Sequence, residues 1–380
     1  MNEPIRIVHV FGSLDRGGAE TFVMNVYRHI DRTRIQFDFI VNETEKTYDY
    51  EPEIVSLGGR VYRVPRYTVS NYFSYKRVVG RLLKQHPEWK MIHGHLLSPG
   101  YIYFSLAQKH QMVTIAHAHI SGYIKRSIKS SAKRLFQKVT ISRADHLFAC
   151  AESAAGFVFG RECHRSILVK NGIDLTQFVY REEKRKKIRK EFNLGEEKVY
   201  GHIGRFMPVK NHQYLLAVFH EILKVDKTAI LLLVGDGRLK ADIQAHVNQL
   251  GIASQVIFTG TRTDVAELLC AMDVLIFPSI REALPVSLIE AQATGLPCVI
   301  SASITHEVVV VDEVKQLDIT DMPHHWASVA IQMGTKNGNS NRMNKIAPEK
   351  IKGAGYNINE VVQLVSDFYI TGEINGEQSN

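Results

Sequence analysis

A chain of 380 residues is too long for one comfortable hydrophobic core, so two domains are expected. Its 45% hydrophobic and 23% charged content is that of an ordinary globular protein, and the apolar run 229–234 falls far short of the roughly 20 residues a membrane span needs. The net charge of +8 is uneven: residues 1–170 carry 25 Lys/Arg against 14 Asp/Glu, whereas 171–380 carry 22 against 25. A basic first half suits an anionic partner (membrane surface, nucleic acid or phosphorylated substrate), although a plain solvated surface would read the same way.

The first residues, MNEPIRIVHV, lack a basic stretch ahead of an apolar segment and read as a first strand rather than a secretory signal. Four dispersed cysteines, Cys150, Cys163, Cys270 and Cys298, form no C-x-x-C pair and fit a reduced, cytoplasmic setting. Short β-branched runs then alternate with helix-length segments. Strands are predicted at 5–10, 36–41, 60–64, 91–95, 114–119, 146–150 and 166–170. A second set follows at 199–204, 229–234, 255–259, 274–278 and 297–301. Helices are expected at 19–29, 71–85, 211–225, 239–250 and 264–272. This alternation predicts an α/β protein with two successive Rossmann-like parallel sheets wound by right-handed crossovers. Asn171-Gly172-Ile173-Asp174, followed by the charged run REEKRKKIRKEF, marks the hinge. The first domain is expected to take residues 1–173 and the second 174–355, with 356–380 left over after it. After Ser301 the pattern fades: 304–320 is ambiguous, 323–333 is helical, 336–350 reads as polar turns, 358–369 is amphipathic, and 372–380 reads as a tail.

The first strand runs into Gly17-Gly18-Ala19-Glu20. Adjacent glycines there let backbone N–H groups approach an anion at a helix start, or simply make a tight turn. G-x-G-x-x-G and G-K-[ST] are both absent, which argues against NAD enzymes and nucleotide-triphosphate loops of those kinds. In the second half, Gly204-Arg205-Phe206-Met207-Pro208-Val209-Lys210-Asn211 sets two cations at a strand's carboxyl end, where open α/β sheets bind ligands. Further on comes Glu282-Ala283-Leu284-Pro285-Val286-Ser287-Leu288-Ile289-Glu290. A helix starting near Pro285 would aim the N–H groups of 284–287 at an anion, with Glu282 before it and Glu290 in its second turn. Cations, free N–H groups and two hydroxyl-accepting carboxylates together suit a nucleotide-diphosphate sugar. The bland alternative is that Arg205 and Lys210 pair with surface glutamates.

This series, with Gly235-Asp236-Gly237, resembles the family-4 retaining glycosyltransferases from about residue 5 to 301, in the flavour of bacterial exopolysaccharide and capsule enzymes. The resemblance implies a GT-B fold, with the two Rossmann-like domains facing across a cleft, and retaining transfer of a hexose or N-acetylhexosamine from a nucleotide sugar, expected to be UDP-linked, without a bound divalent metal. A glycan or polyprenyl-linked acceptor is implied, and a last helix that crosses back onto the first domain. Arg205 and Lys210 would neutralise the diphosphate, Glu290 would hold the ribose and Glu282 the transferred sugar. Gly204 and Asn211 flank the two cations, and 283–286 line the phosphates. Gly18 would let its loop close over them, and the loop at Thr261 and Arg262 would hold the base. The family commonly has glycine where this chain has Ala283, which bears on sugar identity. Alternatives are a sugar-nucleotide 2-epimerase of the same fold and a non-catalytic nucleotide-sugar-binding subunit.

Two strands end in histidine pairs, His93/His95 and His117/His119. Period two places each pair on one face, yet no cysteine and few carboxylates support zinc, so no metal is expected. The resemblance points to His119 at the donor sugar, with His117 as the second choice and His95 on the acceptor side. Finally, 124–139 has an apolar stripe opposite Lys125, Lys129, Lys133 and Arg134, and no acid lies between Trp89 and Ala144. A basic amphipathic helix of this kind suits the surface of an anionic membrane. Nucleic-acid binding is disfavoured for want of a stacking platform or motif.

Overall fold

The computed structural model describes residues 3–119, 136–336, 342 and 346–373. Lys125, Lys129, Lys133 and Arg134 lie outside the described residues, as do 374–380 of the expected tail. The chain forms two compact units, Met1–Gly172 with Ile358–Asn380, and Ile173–Asn357.

The first unit is built on seven parallel strands: β1 (Ile5–Phe11), β2 (Ile35–Val41), β3 (Arg60–Arg63), β4 (Trp89–Gly94), β5 (Val113–Ala118), β6 (His146–Ala149) and β7 (Ser166–Leu168). Their order is β3-β2-β1-β4-β5-β6-β7, so the winding reverses between β1 and β4. Helices α1 (Gly18–His29), α2 (Glu51–Ser56), α3 (Tyr72–Gln85), α4 (Gly100–Lys109) and α5 (Glu152–Phe159) connect them. Strands covered on both faces read as apolar runs, and Phe37, Phe39, Ile7 and Ile115 are fully enclosed. The one deeply buried acid on β2, Asp38, is satisfied by Arg6 at 2.7 Å and by the Trp89 indole N–H at 2.7 Å.

The second unit has six parallel strands: β8 (Val199–Ile203), β9 (Ile230–Val234), β10 (Val256–Gly260), β11 (Val274–Phe277), β12 (Cys298–Ser301) and β13 (Val314–Leu317). They run in the order β10-β9-β8-β11-β12-β13. Here α6 (Glu182–Glu191), α7 (His212–Val225), α8 (Lys240–Gln249), α9 (Val265–Ala271), α10 (Val286–Ala293), α11 (Pro323–Lys336) and α12 (Ile346–Gly353) pack around the sheet. Trp326 of α11 is wholly buried with Phe219 and Leu215 of α7. The last helix, α13 (Ile358–Thr371), places Ile358, Val361, Val365, Phe368 and Tyr369 in the core of the first unit. Where the chain leaves and returns, Ile173 N–H donates to the Tyr356 carbonyl at 2.8 Å. Among the described residues no helix is long and apolar enough to cross a membrane.

Two expectations need correcting, and the charged run at 181–192 that follows the turn at 171–174 forms helix α6. Its only apolar anchor is Ile188, and the helix is held instead by Arg185 and Arg189, which donate to the Ala271 carbonyl and pair with Asp273. The ambiguous 304–320 contains β13, which registers on β12 from Cys298↔Val314 to Ser301↔Leu317. The polar stretch before 350 leads into α12, whose Ile351 is fully buried.

Candidate active site

Both sheets reverse their winding at a pair of central strands, and in such folds ligands bind beyond the carboxyl ends there. In the second unit that place lies past β8 and β11. The loop leaving β8 turns through Pro208–Lys210, and Asn211 then adopts φ 57°, ψ 46°, a left-handed conformation asparagine tolerates better than most residues. This turn folds the Lys210 stem back over Gly204, where an added Cβ would lie 2.9 Å from Lys210 Cε. The Ile280 N–H donates to the Val209 carbonyl at 2.8 Å, stitching the loop after β11 to this turn.

As a result Lys210 and Glu282 meet: Nζ lies 2.7 Å from Oε1, with the side chains 14% and 19% exposed. The ammonium also stands 4.5 Å from the centre of the Phe277 ring, a cation–π contact. Below it, His202 packs against Phe277 and His212 against Phe206. Burial pushes the His212 imidazole down to about 4, and the nearby Lys210 charge adds to the effect. The floor under Lys210 therefore carries no competing positive charge. Arg205 is exposed, and among the described residues its guanidinium has no hydrogen-bond or ion-pair partner.

Glycines of the β9–α8 turn buttress this loop. Gly235 donates to the Gly260 carbonyl at 2.9 Å and adopts φ +136°. The Asp236 carbonyl accepts from the Phe206 N–H at 2.9 Å. Beyond β11, Pro285 caps α10 with an extended backbone, so the amides opening the helix are left to outside acceptors. Ala283 is buried and is not among the residues with positive φ, so its methyl group is accommodated. Leu284, Pro285 and Val286 are buried beside it. Glu290 keeps some exposed surface, yet burial raises its carboxyl to about 7, and no described residue donates to it. Ser279 Oγ is likewise enclosed without a partner. Thr261 is exposed, whereas the Arg262 guanidinium is occupied by Asp264 and Glu191, so only backbone groups of that turn are offered.

In the first unit Gly17 precedes α1 with extended backbone (φ −120°, ψ 168°), and a Cβ on Gly18 would meet nothing within 4 Å. Neither glycine is demanded by φ; Gly18 is exposed with open space around it at the helix start, whereas Gly17 is buried.

Models of two families match the chain in tandem, Glycosyltransferase Family 4 over residues 16–177 and Glycosyl transferases group 1 over 183–349. The glycosyltransferase EpsF of Bacillus subtilis is 35% identical over 310 residues, 80% of either chain. The chain belongs to the family-4 glycosyltransferases. A second relative, the UDP-Gal:α-D-GlcNAc-diphosphoundecaprenol α-1,3-galactosyltransferase of Escherichia coli, is 23% identical over 388 residues, 98% of either chain. HepE of Anabaena, solved with UDP and glucose, superposes with a TM-score of 0.77 at 16% identity, covering 97% of this chain and 100% of that one. That likeness shows the GT-B fold.

In this glycosyltransferase the histidines are distributed unevenly. His119 follows β5 and is half-buried, with Nε2 2.8 Å from His95 Nδ1. His117, the second choice for the donor sugar, is only 1% exposed and bonds to His93, so neither donor nor acceptor can reach it as the chain stands. The parallel strand that carries it turns that face towards α1 and α13. His9 joins the group through His95 at 3.0 Å, and nothing in the spacing marks it beforehand. Two sets of three imidazoles, His9/His93/His95 and His95/His117/His119, have ring nitrogens within 4.8 Å of one another.

Proposed function

We propose that this glycosyltransferase transfers a hexose or N-acetylhexosamine, with retention, from a UDP-linked sugar to a glycan or polyprenyl-diphosphate-linked acceptor in extracellular polysaccharide synthesis. The observation that carries the reading is the juxtaposition, beyond β8 and β11, of Lys210 on Glu282, a free Arg205 and the open amides of α10. The Escherichia coli relative, a UDP-Gal:α-D-GlcNAc-diphosphoundecaprenol α-1,3-galactosyltransferase, takes a donor and an acceptor of the same class.

Arg205 and Lys210 take up charge as the diphosphate leaves, the stage at which preorganised cations lower a barrier most. Glu282 orients Lys210 and accepts from hydroxyls of the transferred sugar, and Glu290 accepts from the ribose. Backbone at Gly17 and Gly18 accepts the phosphates, and His119 is assigned to the donor sugar and His95 to the acceptor. Neither glutamate serves as a double-displacement nucleophile, because Glu282 is engaged by Lys210. No resident metal is invoked. A thermal-shift panel of UDP-, GDP-, ADP- and TDP-sugars tests this: UDP-sugars are expected to raise the melting temperature by several degrees at a hundredfold excess over Kd. No shift with any of them would overturn the donor assignment.

Glu290 gives a pH signature. Its carboxyl ionises near 7 in the folded chain and near 4.5 in the unfolded one, so the folded chain holds the extra proton between those values. Its contribution to stability therefore falls as pH rises from about 4.5 through about 7. Ribose hydroxyls donate more strongly to the carboxylate than to the neutral carboxyl group. UDP affinity should thus rise as pH climbs towards 7, and binding at pH 6 should release a proton, read as a buffer-dependent heat in calorimetry. Glu290→Gln should abolish that dependence; its persistence in the variant would detach Glu290 from the nucleotide.

The same reading places the enzyme in the cytoplasm and against the inner face of an anionic membrane. Exchanging Lys125, Lys129 and Lys133 for glutamate is expected to weaken binding to phosphatidylglycerol vesicles at least tenfold, with salt reproducing the loss. Unchanged binding would leave the segment as a solvated basic surface.

A further inference from the structure

Five imidazoles share one face of the first sheet. His9 on β1 registers with His93 on β4, and His95, His117 and His119 follow at alternate positions towards the carboxyl edge. They fall into two separate hydrogen-bonded chains. In one, His9 Nδ1 meets His95 Nε2 at 3.0 Å and His95 Nδ1 meets His119 Nε2 at 2.8 Å. In the other, the Tyr369 hydroxyl of α13 meets His93 Nδ1 at 2.6 Å and His93 Nε2 meets His117 Nδ1 at 3.0 Å. The chain ends, His9 Nε2, His119 Nδ1 and His117 Nε2, are buried atoms without a partner among the described residues.

A neutral imidazole owns one N–H and one lone pair. Burial drives all five rings far below the usual histidine range, so each is neutral at pH 7. The first chain then has two proton arrangements. Either every ring donates outward, leaving a lone pair on His9 Nε2 and an N–H on His119 Nδ1, or every ring donates inward and the spare N–H sits on His9 Nε2. His9 lies in a pocket lined by Phe22, Val23, Val26, Phe37, Val169 and Val365 with His93 and Tyr369, and no acceptor among the described residues lies within hydrogen-bond distance of its Nε2. Either arrangement leaves one end N–H unpaired, but His9 is 1% exposed whereas His119 is half-buried at the carboxyl edge, where a ligand oxygen can accept, so the outward arrangement is the one a ligand can satisfy. In the second chain the Tyr369 hydroxyl, a stronger donor than a neutral imidazole N–H, meets no other partner among the described residues and donates to His93, which sends the spare proton to His117 Nε2 in the same direction.

We infer that these relays fix His119 as an N–H donor at Nδ1 and His117 as an N–H donor at Nε2, with His9, His95, His93 and Tyr369 acting as positioning residues. His119 would then grip an oxygen of its ligand and does not serve as a base. That the ligand is the donor sugar rests on the proposed function; the tautomer assignment does not. A metal centre fits the geometry less well. His95 spends both nitrogens on hydrogen bonds, and neighbouring rings lie within 15–34° of parallel, so their in-plane lone pairs run side by side instead of converging.

The test is two-bond proton–nitrogen NMR of the full chain labelled with ¹⁵N-histidine at pH 7, with signals assigned through His119→Gln and His117→Gln. The Nδ1–H form is expected at His119 and the Nε2–H form at His117. His95→Phe removes the donor and should switch His119 to Nε2–H. His95→Gln, whose amide N–H can replace it, should keep Nδ1–H. With UDP-glucose as the probe, hydrolysis should fall about tenfold in His95→Phe through KM, and recover in His95→Gln. An Nε2–H signal at His119 in the wild type would overturn the inference without any variant needing to fold. So would an unchanged tautomer in His95→Phe, or stoichiometric Zn²⁺ binding that collapses the five signals. A correct tautomer pattern with no response to any UDP-sugar would keep the relay and sink the donor assignment alone.

Discussion

Replacing Lys210 with alanine is expected to lower donor turnover by about a hundred- to a thousand-fold, the usual cost of deleting one preorganised charge-stabilising group. The ammonium sits on the Phe277 face, 2.7 Å from Glu282 and only 14% exposed, so its charge is poorly screened. Leaving-group stabilisation grows as the diphosphate charge develops, so kcat should fall more than KM rises. Deleting Lys210 also removes the cation beside Glu282 and presents a carboxylate to the phosphates, adding repulsion. The double variant Lys210→Ala/Glu282→Gln should therefore recover part of the loss of nucleotide binding, though not the turnover. Arg205→Ala should behave as Lys210→Ala does without that rescue, because Arg205 has no such partner among the described residues. The melting temperature should stay within a few degrees in each case, since a part-exposed ion pair contributes about 1 kcal/mol or less. Near-normal turnover in either single variant would remove that residue from the chemistry.

The second large effect is structural. Gly235→Ala is expected to destabilise the second unit by roughly 2–4 kcal/mol, combining a strained backbone with a forced shift of packed atoms. Its φ of +136° lies where side chains rarely go, and the new methyl group would stand 2.2 Å from the Gly204 carbonyl oxygen. That carbonyl belongs to the segment carrying Arg205, so UDP binding should weaken alongside the loss of stability. Gly251→Ala is the control: its φ is +69° but nothing lies within 4 Å, so only a conformational cost of about 1–2 kcal/mol remains. Calorimetry on the two variants separates the terms. Equal losses would mean the contact at Gly204 relaxes freely and the turn does not brace the site.

How far the site was legible in the sequence follows from what spacing encodes. Gly204 to Asn211 and Glu282 to Glu290 could be placed at strand ends because alternating apolar runs announce where strands stop. That Lys210 grips Glu282 could not be read, since it depends on the left-handed Asn211 and on the Ile280–Val209 bond between two loops. His117 shows the converse. Period two put it correctly on the face of His119, but only packing beneath α1 and α13 decided that this stretch of the face is core.

By itself the sequence determined two successive runs of parallel-sheet units, the glycine-marked turns after their strands, and a set of cations and carboxylates fit for a nucleotide sugar. These are local properties, set by side-chain period, backbone freedom and charge. The tertiary structure alone decided the rest. β13 exists because β12 offers it a ladder, α6 is held by arginines on distant carbonyls, and Tyr369 meets His93 across 276 residues of chain. Periodicity tells which face of an element is buried, but not what it is buried against, and a relay or an ion pair is made of the partner.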